Sequence, residues 1–140
     1  MDTSLTGFGT SFATADSGSS NLRPLNYATE VAPDFSTASA NVRLTAGTTL
    51  LTSGSMNSLT LAGGSLSIAP LQALYLTSGG LLATTAATIS GGTLLAPSSL
   101  PALMVHTVAD LTISSLLSGG NGSANANIGF VKAGTGTLTL

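Results

Sequence analysis

His106 is the only histidine in this 140-residue chain, and Asp110 follows it by four residues. With 20 serines in the sequence, every residue type of a Ser-His-Asp hydrolase is present. The arrangement is not. No Gly-x-Ser-x-Gly turn occurs, and four residues of strand and turn do not set a carboxylate beneath an imidazole. Glycosidase chemistry asks for two carboxylates at a fixed separation. From residue 41 onward Asp110 is the only acid, and Arg43, Lys132 and His106 are the only bases. One carboxylate cannot do that work. Cysteine is absent, and neither a histidine cluster nor an Asp/Asn-Gly calcium repeat appears. The sequence therefore assigns no catalytic, cofactor-binding or metal-binding residue, and His106 and Asp110 are expected on an outer face or at a corner.

Hydroxyls are the other abundant chemistry. A regular Thr-x-Thr face on a flat sheet would suit ice or a glycan, and Thr135, Thr137 and Thr139 form such a run. Thr-x-Thr does not recur in each repeat, however. Threonine is read instead as a residue that suits strands and keeps an uncharged surface soluble. Asn121-Gly122-Ser123 fits a glycosylation acceptor, but Asn-Gly is first of all a turn signal.

Composition narrows the class of partner. The chain is 43% hydrophobic but only 6% charged and 4% aromatic, with 17 glycines. Disordered chains have the opposite balance, so a folded core is expected. A net charge of −2 with only Arg23, Arg43 and Lys132 as fixed cations supplies no basic stripe for nucleic acid. No apolar run approaches the roughly 20 residues of a membrane helix, so insertion by this segment is not expected. Met1-Asp2-Thr3-Ser4 opens without a basic and apolar leader, which places any export signal outside these residues.

The elements that carry these residues are strands. Leu59–Ile68, Leu74–Ala83 and Ala87–Ala96 repeat one phrase: alternating apolar and small polar residues, a Gly-Gly pair, then a second apolar run. Alternation at period two gives a strand one buried and one open face. Gly-Gly supplies the positive φ of a sharp corner. No window in residues 41–140 has helical spacing. A unit this small buries its apolar side only by stacking on its copies. The expected fold is all-β, a right-handed single-stranded parallel β-helix (solenoid), with a β-sandwich as the alternative. Residues 41–140 form the repeat region, at ~20–25 residues per coil. Gly-Gly pairs at 63–64, 79–80, 91–92 and 119–120 predict rungs of unequal length. Residues 1–40 hold three of four phenylalanines and four of five acids, and read as an irregular flank or cap. Within them Tyr27–Val31 is predicted to make one helical turn before Pro33.

The C-terminal stretch Gly129-Phe130-Val131-Lys132-Ala133-Gly134-Thr135-Gly136-Thr137-Leu138-Thr139-Leu140 resembles the passenger-associated transport repeat of autotransporter-type proteins, Gly-Leu-x-Lys-x-Gly-x-Gly-Thr-Leu-x-Leu. Lys132, Gly134, Gly136, Thr137, Leu138 and Leu140 match it as structural motif positions. Leu22–Leu25, Asn41–Leu44, Asn57–Leu59 and Val105–Ile113 look like pieces of autotransporter-associated β-strand repeats. The repeat's usual Ser-Gly-x-Asn continuation is absent, as is a membrane β-barrel. The resemblance implies a truncated segment of a large passenger, exported across an outer membrane to the cell surface or the extracellular medium. Its role there is that of a non-catalytic stalk or adhesin-like surface. The implied partners are the rest of the parent chain and, beyond it, host or matrix glycans or proteins. Cut at Leu140, such a fragment would leave strand edges open and would be expected to associate. Two other readings compete: part of a carbohydrate-active β-helix enzyme, and a Thr-rich glycan- or ice-binding module.

Overall fold

In the computed structural model the described residues are 10–16, 18, 21–97, 102–119 and 128–140. Gly7-Phe8-Gly9, Pro101 and Asn121-Gly122-Ser123 lie outside them. No helix occurs among the described residues. Eleven strands join in one sheet, and every pairing within it is parallel. The chain is a parallel β-solenoid; the sandwich alternative, which needs antiparallel neighbours, is ruled out.

Register divides the sheet into three walls. The first stacks β3 (Val31–Ala32), β4 (Asn41–Leu44), the end of β6 (Gly54–Leu61), the end of β7 (Leu66–Ala83), β9 (Ala102–Thr107) and β12 (Gly129–Ala133). The second stacks β5 (Thr48–Leu50), the start of β7, the start of β8 (Ala87–Leu95), β10 (Leu111–Ile113) and β13 (Leu138–Thr139). The third takes the start of β6, the middle of β7, the end of β8 and β11 (Leu116–Ser118). Each coil passes from first wall to second to third before stepping up.

The columns explain the leucine content. On the first wall Val42, Leu59, Leu81 and Val105 lie in register and are essentially inaccessible to water. On the second, Leu66, Ile89 and Ile113 do the same; on the third, Leu74 and Leu94. Burying each such side chain contributes about 1.5–3 kcal/mol. Successive first-wall members are 17, 22 and 24 residues apart, and the next position, Lys132, follows after 27. The coils are unequal, as the irregular Gly-Gly spacing predicts, because extra residues are taken up at corners without disturbing the walls.

Corners use glycine for two reasons. Gly79, Gly91 and Gly134 have φ near +71°, +71° and +85°. At Gly64 and Gly136 the limit is space: a Cβ there would strike the backbone of Ala46 and Ala109, one coil away. One expectation is revised. The pairs at 79–80 and 91–92 do not separate strands; β7 and β8 bend through them while remaining in the sheet. Corner hydroxyls add ties between coils. Thr77 Oγ1 donates to Met56 O at 3.1 Å, Thr84 Oγ1 to Leu61 O at 3.2 Å, and the fully buried Thr107 Oγ1 to Gly136 O at 2.8 Å.

The N-terminal part differs from the rest. β1 (Ala13–Ala15) and β2 (Leu22–Pro24) form an antiparallel pair of their own. Arg23 holds it, bonding Asp16 through Nε at 2.6 Å and Glu30 through Nη1 and Nη2 at 2.6 and 2.7 Å. The predicted turn is present but shifted: Glu30 N–H donates to Asn26 O at 2.8 Å, closing one turn over 26–30, and Val31 is already strand. Because β3 pairs with β4, the parallel ladder starts ahead of residue 41. Ala32, Phe35 and Ala40 pack against the end of the core.

Candidate functional site

His106 sits on the outer side of the first wall, in the column of Arg43, Thr60, Leu82 and Ala133. Its Nε2 is buried and makes no hydrogen bond. Asp110 lies at the following corner, exposed, and its Oδ1 accepts the Thr137 N–H at 2.7 Å. That bond fastens the last described corner to the coil before it. Asp110 is thus engaged with the Thr137 backbone, and among the described residues no hydroxyl is hydrogen-bonded to His106 Nε2. Among the described residues no group of three or more His, Cys, Asp or Glu side chains is placed to hold a metal.

The motif residues of the C-terminal stretch form one strand, corner and strand. Lys132 is exposed on β12, opposite Val105, and its Nζ donates to Gly134 O at 2.7 Å. Gly134 turns the chain where a Cβ would strike the Thr107 carbonyl, and Gly136 N–H donates to Thr107 O at 2.8 Å. Thr137 O accepts the Leu111 N–H at 2.8 Å; Leu138 pairs with Leu111 against the core, and Leu140 is exposed. The work of Lys132, Gly134, Gly136, Thr137 and Leu138 is geometric. They carry a coil around a corner and back into register.

Two surfaces of the described residues have the makings of a site. The first is a groove of about 510 Å³ between the N-terminal hairpin and the outer side of the first wall. Gly80, Met104, Val131 and Ala133 lie on the wall side; Phe12, Ala13 and Leu25 lie on the hairpin side. The Phe12 ring rests on Gly80, where a Cβ would come within 3.0 Å of it. One edge is polar but self-satisfied. Asn41 Oδ1 accepts from Asn57 Nδ2 at 2.7 Å and from Ser58 Oγ at 2.8 Å, and Ser78 Oγ donates to Asn57 O. Sequence alone does not reveal this groove, because it joins residues 12 and 80. A signal was nevertheless present in Leu103-Met104-Val105 and Leu81-Leu82-Ala83, where both strand faces are apolar.

The second surface adds serine to the reading of threonine. On the outer side of the second wall, Thr49, Ser67 and Ser90 form one column, and Thr88, Thr112 and Thr139 the next. Hydroxyls do recur coil by coil, as Ser65-Leu66-Ser67, Thr88-Ile89-Ser90 and Thr112-Ile113-Ser114. The recurrence is hidden in the sequence because serine and threonine alternate in the role. No charged side chain interrupts these triplets.

No protein-family model matches the chain, and no match is found among curated proteins or solved structures.

Proposed function

We propose that this chain is a structural segment of a secreted or surface-displayed β-helical passenger of the autotransporter type, stalk- or adhesin-like and non-catalytic. The observation that carries the reading is the set of parallel columns among the described residues, in which each coil is both floor and template for the next. A rod built this way transmits position along its axis and asks little of any single residue. The Lys132–Leu140 stretch supports the same reading, since Lys132, Gly134, Gly136 and Thr137 serve a corner and Leu138 returns to the core. The partners in this reading are the rest of the parent chain and host or matrix glycans or proteins. An antibody raised against residues 41–118 should label intact cells that express the parent protein, and brief external protease treatment should remove the label. Labelling seen only after permeabilisation would contradict the proposal.

One observation favours a second reading, a glycan- or ice-binding module: the two hydroxyl columns on the second wall. Adjacent strands stand about 4.8 Å apart and alternate residues about 6.8 Å, which makes a regular, neutral grid of hydroxyls. Retention on crystalline chitin or cellulose, or faceting of growing ice, is the expected result, lost in Ser90→Lys/Thr112→Lys. Absence of both effects in the unsubstituted protein would dismiss this reading.

A further inference from the structure

We infer that a pocket between Arg43 on the first wall and the segment 27–33 binds a small monocarboxylate with a short apolar body. This goes beyond the stalk reading and does not depend on it. The pocket holds about 300 Å³, room for one small molecule. Tyr27, Arg43 and Thr45 line one part of it, and Val31, Ala32 and Pro33 give it an apolar side. Arg43 is the cation left over. Arg23 bonds Asp16 and Glu30, and Lys132 Nζ donates to Gly134 O, whereas Arg43 makes no hydrogen bond or ion pair. No described aspartate or glutamate is spare for it. Asp34 Oδ1 accepts the Ser36 N–H at 2.9 Å, and Asp110 is taken by the Thr137 N–H. The Arg43 guanidinium nitrogens are nonetheless open to solvent, so a ligand can reach them.

The cation is also held in place. It lies over the Tyr27 ring, 4.7 Å from the centroid, a contact that attracts the charge without neutralising it. Tyr27 is fixed in its turn. Its hydroxyl donates to Thr10 O, and the turn that carries it is closed by Glu30 N–H to Asn26 O and Asn26 N–H to Glu30 Oε2. An ordered guanidinium gives up little freedom on binding, and its planar N–H fork matches the two oxygens of a carboxylate. One positive charge selects a monoanion, because a second negative charge would find no counter-ion in the pocket. The apolar side selects what the carboxylate is attached to. Hydrocarbon gains by covering Val31, Ala32 and Pro33, whereas the hydroxyls of a sugar acid would lose water against them.

The test uses benzoate, its neutral near-isostere benzamide, acetate, which lacks the apolar body, and methyl glucuronide, which carries the carboxylate on a sugar. In the whole isotopically labelled chain, benzoate should bind saturably and move the Arg43 Nε–H resonance. The Arg23 Nε–H, tied to Asp16, should stay where it is. Benzamide should bind about ten-fold more weakly, the lower range for a charge-assisted hydrogen bond. Acetate and the glucuronide should also bind about ten-fold more weakly, since neither buries hydrocarbon on the apolar side. Arg43→Gln should bind benzoate no better than benzamide, and Tyr27→Leu should weaken benzoate about three-fold. Lys132→Gln, which removes the same charge elsewhere, should leave benzoate affinity unchanged. An unmoved Arg43 resonance, non-saturable binding, or equal losses in Arg43→Gln and Lys132→Gln would overturn the site. Benzamide binding as tightly as benzoate would overturn the carboxylate, and acetate or the glucuronide doing so would overturn the apolar body.

Discussion

Gly64 and Gly47 stand at equivalent corners between the first and second walls, and only one of them has to be glycine. A Cβ at Gly64 would be driven into the Ala46 backbone, whereas at Gly47 the nearest atom is 4.0 Å away. Gly64→Ala should therefore destabilise the fold by about 2–3 kcal/mol in urea denaturation. Gly47→Ala should be neutral or stabilising by up to about 1 kcal/mol, because it restricts the unfolded chain without straining the folded one. Equal effects would mean that the coils are not packed corner on corner. Glu30 offers a test by pH. Hydrogen bonds from Arg23, then from the Asn26 N–H, hold its carboxyl down to about 2 from an ordinary 4.5. A depressed carboxyl adds stability that is whole above the ordinary value and is lost as pH falls toward the folded one. Protection of the hairpin amides against hydrogen exchange should decline as pH drops from 4.5 toward 2. Glu30→Gln should start with less protection and decline less over the same window. The same decline in both proteins would remove Glu30 from the account.

At the scale of elements, the apolar columns carry the energy and the bulges do not. Leu81 is wholly buried between Leu59 and Val105, so Leu81→Ala should cost about 3–4 kcal/mol through lost burial and a cavity. Leu71 is the opposite case. It is 100% exposed, with φ of +65° in the bulge between Ile68 and Ala73. Leu71→Gly should be stabilising by about 1 kcal/mol, since a left-handed backbone strains any residue with a Cβ. Urea midpoints of the two variants should move in opposite directions. These elements also show what the sequence could disclose. Leu59–Ala96 reads as strands because period-two alternation is a local property, and unequal coils follow from glycine spacing. Bends inside β7 and β8 do not read, because an 18-residue strand crossing corners has the same letters as shorter strands separated by turns. Nor does the docking of Phe12 on Gly80, a contact made by tertiary packing between distant residues. The hydroxyl columns lay between these cases: the residues were visible, but their register depended on coil lengths that only the fold fixes.

For the molecule as a whole, the claim is that consecutive coils run the same way and share one hydrophobic interior. Everything else rests on that: corner glycines touch the coil below, corner hydroxyls bond to its carbonyls, and the groove exists because outward positions align. The hairpin of β1 and β2, antiparallel and separate, is an addition to this plan and not its basis. A stalk and a hydroxyl grid are compatible with one solenoid, since the first uses its stacked interior and the second the outer side of one wall. The measurement that tests the plan most directly is the pattern of inter-strand nuclear Overhauser contacts in the isotopically labelled chain. Parallel stacking gives methyl contacts from Val42 to Leu59, from Leu59 to Leu81 and from Leu81 to Val105, with no close Hα–Hα pairs between neighbouring coils. Strong Hα–Hα contacts between adjacent strands of residues 41–118 would show them running in opposite directions and would contradict the account.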